Sequence, residues 1–265
     1  VMGLGRFGGG LGVARWLVAQ GAVVTVTDLE PAARLAEPVS ALGAEIAGGR
    51  VRLVLGEHRE EDFRGADVVV ANPAVPRPWE NRFLRAAMDA GVAVTTEIRL
   101  TCERLDRSRV IGVTGSAGKS TRGGMLANAI RRVRGGCRLG GNIGGSLLEE
   151  VARIRSEEWV VLELSSAQLH WLGAGVGQAE APAWTPAVGV VTSFAANHID
   201  WHGSVEHYRA SKANLVGGEG TVVFADGLLA REFPTARRVV IAPEGPRPVL
   251  RIPGAHNRRN ALVAA

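Results

Sequence analysis

The sequence predicts an α/β protein: a Rossmann-like first unit at residues 1–106, then a phosphate-loop ATPase-like unit at 107–265 with a mostly parallel sheet. Three observations carry that prediction. Strand-like and helix-like runs alternate along the chain, the pattern of parallel sheets with helices on their faces. Gly3-Leu4-Gly5-Arg6-Phe7-Gly8 reads GxGxxG before a helical run. Val113 to Arg122 reads VTGSAGKSTR between a buried strand and a second helix. With 265 residues, 46% of them hydrophobic and 22% charged, the chain can bury cores of that size.

The first unit opens with the glycine turn and the helical run LGVARWLVAQG. The β-rich run AVVTVTD then ends at Asp28, twenty residues after Gly8. The glycines permit a sharp turn and close backbone approach, so a diphosphate can sit at the helix N-terminus. Asp28 at the strand end can accept hydrogen bonds from a ribose or base. A lone GxGxxG also serves tight packing alone. Further strands fit ADVVVA and VAVTTE, with the helix RFLRAAMDAG between them, and the prolines of Asn72 to Pro78 impose a loop.

The second unit starts near Arg107, where RVIGVTG reads as a buried strand entering GSAGKST and TRGGMLANAIRR as the helix leaving it. The basic patch RRVRGGCR reads as the end of a solvated helix. WVVLELS, AVGVVTSF, TVVFAD and RRVVIAP fit strands, NHIDWHGS a polar loop, and SVEHYRASKANL a helix.

Charge and cysteine content narrow the function classes. A formal charge of +5 suits anionic ligands. The arginines are dispersed and no aromatic-basic platform appears, so nucleic acid is not an expected partner. Cys102 and Cys137 have no metal-like spacing, which points to a reducing, cytoplasmic compartment. No apolar run reaches membrane-spanning length, so no membrane partner is expected.

The chemistry concentrates in the second unit. Backbone N–H groups at a helix start favour phosphate, Lys119 can reach outer phosphates, and the Ser120 hydroxyl can bind Mg²⁺. The competing reading is a glycine-rich turn with an exposed lysine. Glu163, an acid inside a hydrophobic strand, needs a partner or a metal, or else lies in a surface salt bridge. Asn197, His198, Asp200 and His202 fall within six residues, and Lys212 lies fourteen residues past His198. Zinc is disfavoured, because His-x₃-His lacks helical context and a further ligand.

Taken together, these motifs resemble the Mur ligases, ATP-dependent enzymes that add amino acids to the UDP-linked peptidoglycan precursor. Thr114-Gly115-Ser116-Ala117-Gly118-Lys119-Ser120 matches the family's TGxxGK[ST] loop, with Ala117 where asparagine is common. The resemblance implies nucleotide contacts from Gly115 through Thr121, and from His256, Asn257 and Asn260 in PGAHNRRN on the adenine side. It implies that Asn142 in GGNIGG lies near substrate and phosphates. LELSSAQL is similar to the form in the D-glutamate-adding branch, implying a magnesium role for Glu163 and substrate-side roles for Ser165 and Gln168. NHIDWHGS and YRASK match a metal-binding histidine, His198, and a carbamylated lysine, Lys212. In that branch the first unit holds the UDP end, so Gly5 in its turn would approach the diphosphate and Asp28 would face uridine. Asn72-Pro73-Ala74 stands where the family has a Ser-Pro-Gly-like loop.

The implied reaction is amide formation. The carboxylate of UDP-N-acetylmuramoyl-L-alanine attacks the γ-phosphate of ATP, and the amine of D-glutamate displaces phosphate from the acyl phosphate. Lys119, His198 and Lys212 would carry the catalysis; Ser120, Glu163, His198 and carbamylated Lys212 would hold Mg²⁺. The expected state is a monomer. A third, C-terminal domain is expected beyond these residues, and the isolated 265 residues are expected to bind nucleotide without turnover. Competing readings are another Mur-type or folylpolyglutamate-type ligase, a noncatalytic nucleotide-binding module, and an NAD-dependent dehydrogenase. The last rests on GxGxxG alone and leaves GKST, Glu163 and NHIDWH unexplained.

Overall fold

A computed structural model describes residues 1–5, 9–143 and 146–241. Two parallel sheets organise them. In the first, β1 (Val24–Asp28) pairs with β2 (Val51–Leu55), and β3 (Val68–Ala71) pairs with β4 (Ala93–Thr96). Met2 joins the two pairs through parallel bridges to Thr27 and Ala71. The glycine turn therefore leaves the middle of the sheet at the C-terminal ends of its strands, where α/β folds bind ligands. The helix Gly9–Ala19 follows it. Gly10 must lack a side chain, because a Cβ there would collide with the carbonyl oxygens of Gly3 and Leu4.

The second sheet has six strands: β5 (Val110–Thr114), β6 (Cys137–Gly141), β7 (Trp159–Glu163), β8 (Val188–Val191), β9 (Thr221–Phe224) and β10 (Arg238–Ile241). Their order is β10-β9-β8-β5-β7-β6, with every pair parallel. Strand β5 is buried at all five positions, as a near-continuous apolar run in the middle of a covered sheet should be. The register sets Val113 beside Glu163 and Thr114 beside Val191. Glu163 in turn lies beside Gly141 of β6. The loop after β5 thus emerges between the ends of β7 and β8.

Several elements go beyond the sequence reading, among them two strands and a number of short helices. VRLVL forms β2, and CRLGG forms β6 directly after the predicted basic helix end. Neither segment has strong strand propensity throughout, and pairing with β1 or β7 decides the outcome. The helix Lys119–Arg134 stops at Gly135 (φ 83°), with three arginines in its last turn, as the basic patch suggested. Within NHIDWHGS, Ile199–His202 forms a short helix, and Trp201 and His202 are buried. That loop is therefore not polar throughout, because the Trp201 ring packs against Trp79 of the first unit and the His202 ring against His207 and Tyr208.

Arg99, in the helix Glu97–Cys102, fastens the two sheets together. Its guanidinium is almost wholly buried and donates to the carbonyl oxygens of Trp171 (2.8 Å), Gly173 (3.3 Å) and Pro182 (2.6 Å). Trp201 Nε1 donates to the Pro73 carbonyl at 3.1 Å, and the Arg77 N–H donates to that of Trp201 at 3.0 Å. Among the described residues no helix is long and apolar enough to cross a membrane.

Candidate functional site

The loop after β5 is held open by its neighbours. A Cβ on Gly115 would strike Thr192 Oγ1, so this strand end tolerates only glycine. Ala117 donates its N–H to Ser193 Oγ (2.8 Å), and the Thr192 hydroxyl donates to the Ala117 carbonyl. Ser116 Oγ donates to the Ala195 carbonyl (2.8 Å) and lies 2.7 Å from the Tyr208 hydroxyl. Gly118 (φ 79°) then turns the chain into the helix Lys119–Arg134. The first-turn N–H groups of this helix carry the positive end of its dipole. Ser120 is exposed at this helix start, and Thr121 follows half-buried.

Two lysines reach the same loop. Lys119 Nζ donates to the Gly115 carbonyl at 3.0 Å. Lys212, from the helix Val205–Ala213, donates to that carbonyl and to Thr114 Oγ1, each at 3.2 Å. Lys212 is 1% exposed. Burial, helped by the Lys119 charge, pulls it down from 10.5 to about 7.

Glu163 supplies the acid. It is 1% exposed; Oε1 accepts from Asn142 Nδ2 at 3.1 Å, while Oε2 is buried without a partner. A buried carboxylate oxygen with no donor is costly, and a cation is its natural complement. This donor set fits magnesium bound by carboxylate, hydroxyl and phosphate oxygens. Among the described residues no cluster of three or more His, Cys, Asp or Glu side chains can hold a metal without such help.

A cavity of about 640 Å³ opens between the two sheets. Gly3 to Gly5 and Asn72 to Ala74 line it from the first, and Asn142, Ser165 to Gln168, His198 and Asp200 to His202 from the second. His198 is exposed and adopts φ 53°, a left-handed conformation uncommon outside glycine, which marks a constrained position. Ser165 and Gln168 form a capping box at the helix Ser166–Trp171. Ser165 Oγ accepts from the Gln168 N–H (3.2 Å), and Gln168 Oε1 accepts from the Ser165 N–H (2.9 Å). The side-chain nitrogen of Gln168 is not used by that box. A second cavity of about 550 Å³ adjoins Ala117 and Gly118 on the β8–β9 side, with Phe194 and Asp226 in its wall.

Asp28 is bound to the glycine turn itself. Oδ2 accepts from the N–H groups of Leu4 (2.9 Å) and Gly5 (3.1 Å), and Oδ1 from that of Glu30 (2.9 Å). Its oxygens hold the glycine turn, and it is not in the cavity wall, whereas Gly5 is. His256, Asn257 and Asn260 lie outside the described residues. The sequence reading missed the loop-bracing roles of Thr192, Ser193 and Tyr208, for which no local motif exists. It also missed Glu97 on the cavity wall, whose Oε1 accepts from Ser146 Oγ at 2.6 Å.

Comparison with known proteins matches residues 113–236 to the Mur ligase middle domain and residues 1–96 to the Mur ligase MurD-like N-terminal domain. The chain belongs to the Mur ligase family. A UDP-N-acetylmuramoylalanine–D-glutamate ligase from a Roseiflexus species (strain RS-1) is 42% identical over 81% of this chain and 43% of its own length. Another, from Trichlorobacter lovleyi, is 32% identical over 100% of this chain and 62% of its own. The chain thus spans about half the length of the curated Mur ligase relatives it matches. A UDP-N-acetylmuramate:L-alanyl-γ-D-glutamyl-meso-diaminopimelate ligase from Neisseria meningitides shares the fold. Its TM-score is 0.60 at 19% identity, covering 99% of this chain and 90% of that one.

Proposed function

We propose that this chain carries the precursor-binding and ATP-binding parts of a ligase that joins D-glutamate to UDP-N-acetylmuramoyl-L-alanine in peptidoglycan synthesis. The observation that carries the reading is the gathering of three features around the C-terminal ends of β5 and β7, with Asn142 linking the cavity wall to Glu163. These are the phosphate-type loop at Gly115–Ser120, the orphaned Glu163 oxygen, and a cavity walled by both sheets. The 32–42% identity to D-glutamate-adding relatives supports the choice of amino acid.

The precursor's UDP end occupies the first unit, with its diphosphate at the Gly3–Gly5 turn and the N-terminus of the helix Gly9–Ala19. Its alanyl carboxylate reaches the loop. One carboxylate oxygen attacks the γ-phosphorus of ATP, the bond to the β-phosphate oxygen breaks, and ADP leaves. The D-glutamate amine then adds to the acyl carbon, loses a proton and expels inorganic phosphate. Lys119 neutralises the phosphate charge, and the loop N–H groups orient it, the work on which phosphoryl transfer depends. Magnesium, when bound, screens the repulsion between the anionic carboxylate and phosphate. Ser120 and Glu163 would hold one ion, and His198 another. Lys212, lowered to about 7 by burial and so present in substantial part as the free amine near neutral pH, can add carbon dioxide to its amine nitrogen, releasing a proton and leaving an anionic carbamate that would serve the second ion. The adenine side falls to the cavity beside Ala117 and Phe194.

The test is phosphate release by the full-length protein with Mg²⁺, ATP and UDP-N-acetylmuramoyl-L-alanine. Release that requires D-glutamate is expected. Release with a different amino acid would replace the specificity, and tight ATP binding without release would favour a noncatalytic nucleotide-binding module.

A further inference from the structure

A cluster of histidines and tryptophans lies beside the cavity and spans both sheets. Trp79, from the loop after β3, packs on His207 (ring centroids 4.3 Å apart) and His170 (5.3 Å). Trp201 meets Trp79 edge-on at 5.9 Å. His202 Nδ1 lies 2.9 Å from His207 Nδ1, and His202 Nε2 lies 2.9 Å from Ser166 Oγ. His202 and Ser166 are 2% and 3% exposed, and both line the cavity.

Hydrogen-bond bookkeeping gives this chain a direction. A neutral imidazole has one donor and one acceptor nitrogen. Ser211 Oγ spends its proton on the His207 carbonyl (2.8 Å), so it offers His202 no donor. If His207 donates to His202 Nδ1, then Nε2 carries the proton and donates to Ser166 Oγ. The Ser166 proton is then free to point into the cavity. In the opposite sense Ser166 gives its proton to His202 and shows the cavity only lone pairs. An anionic precursor rich in oxygen acceptors selects the first sense.

We propose that His202 is a positioning residue that holds the Ser166 hydroxyl as a donor toward an oxygen of the UDP-linked precursor. His207, packed under Trp79 of the first unit, is the donor that this sense of the bond requires. The proposal rests on the ligase reading above. It also gives the WHGSVEHY segment a purpose beyond His198: the rings couple the seating of the Asn72–Trp79 loop to the polarity of one cavity group.

The two amides that replace histidine separate positioning from packing. Glutamine at 202 puts an amide nitrogen near the Nε2 position and can still donate to Ser166; asparagine reaches only the Nδ1 position. Calorimetry on the full-length protein measures the affinity for UDP-N-acetylmuramoyl-L-alanine and, separately, for ATP. Ser166→Ala and His202→Asn should each weaken the precursor by about tenfold, the scale of one well-placed hydrogen bond, and leave ATP affinity unchanged. The double variant should be no weaker than either single one, and His202→Gln should recover most of the loss. Equal losses for Gln and Asn, or losses that add in the double variant, would reduce His202 to packing and overturn the proposal. Should His202→Asn melt too low to assay, Ser166→Ala still decides, because wild-type affinity there sinks the idea. A wild-type protein that binds no precursor overturns the ligase reading itself.

Discussion

Lys119 and Lys212 converge on one acceptor: both ammonium nitrogens reach the Gly115 carbonyl, at 3.0 and 3.2 Å, from two different helices. Two cations sharing one oxygen repel each other, and the more buried one yields. Among the described residues neither lysine has a carboxylate in an ion pair, and Lys212, 1% exposed, is the more deeply buried, so its charge is the less well solvated. Burial first, and the Lys119 charge second, therefore bring Lys212 down to about 7, where a substantial fraction is the neutral amine.

This arrangement ties stability to pH. The folded value of Lys212 is lowered from 10.5 to about 7, so between these values the unfolded chain binds more protons than the folded one. Stability therefore rises with pH across that window, and below about 7 the full cost of burying the charge is present. Denaturant unfolding in carbon dioxide-depleted buffer should show wild type gaining on Lys212→Met by a few kcal/mol, roughly 1.4 per unit shifted, between pH 7 and 10. Parallel curves for the two proteins would show that Lys212 is not buried as a strained cation.

Removal of the other lysine has two consequences. Lys119→Ala should lower ATP-dependent turnover of the full-length protein by about a thousandfold or more, the scale of a lost phosphate-stabilising charge. It should also let Lys212 titrate higher, since a neighbouring positive charge has gone. Turnover and the pH dependence of lysine modification check the two separately. Near-normal turnover would remove this loop from the chemistry.

Much of this site is written locally, and some of it is not. Strand, loop and helix around GSAGKST are contiguous, so their order alone foretells a helix leaving the loop, and β5 and the helix start at Lys119 lie as expected. Glu163 stood out as an acid in an apolar strand, and its burial follows from the β7 register. Asp28 shows what a local motif leaves open: a carboxylate at a strand end can serve a ribose or its own turn, and its bonds to the Leu4 and Gly5 N–H groups appear only once the turn is folded against it. The contacts of Trp79 with His170 and His207 span about a hundred residues of chain, and no periodicity or motif encodes such a meeting. The second strands, β2 and β6, depend on partners far away for their existence.

Glu163 offers a test that separates charge from shape. Glu163→Gln keeps the volume and an oxygen for Asn142 Nδ2 but removes a charge whose Oε2 has no donor. Without ligands the variant should melt at or above the wild-type temperature, because an uncompensated buried charge is destabilising. With Mg²⁺ and ATP the wild type should gain stability by mass action, and the variant far less. Thermal melts with and without the pair measure this. An equal gain in both proteins would place the ion elsewhere.

Asp28 makes the opposite case, a predicted ligand contact whose removal should be felt in the absence of any ligand. Its carboxylate accepts three backbone N–H groups, those of Leu4, Gly5 and Glu30, and the Leu4 bond is buried. Truncation leaves donors without partners in a turn whose glycines, at φ of 90° and 65°, are otherwise free to sample other conformations. Asp28→Ala should therefore cost about 2–4 kcal/mol in urea unfolding, from a buried donor at 1–3 kcal/mol and the weaker loss of the others. Asp28→Asn keeps one acceptor oxygen and should lose about half as much, since a neutral acceptor is weaker than a charged one. If Asp28 served uridine alone, both variants would unfold like the wild type and differ only in precursor affinity. If the carboxylate braces the turn, stability falls first, and affinity falls with it because the diphosphate's N–H cradle is no longer preformed.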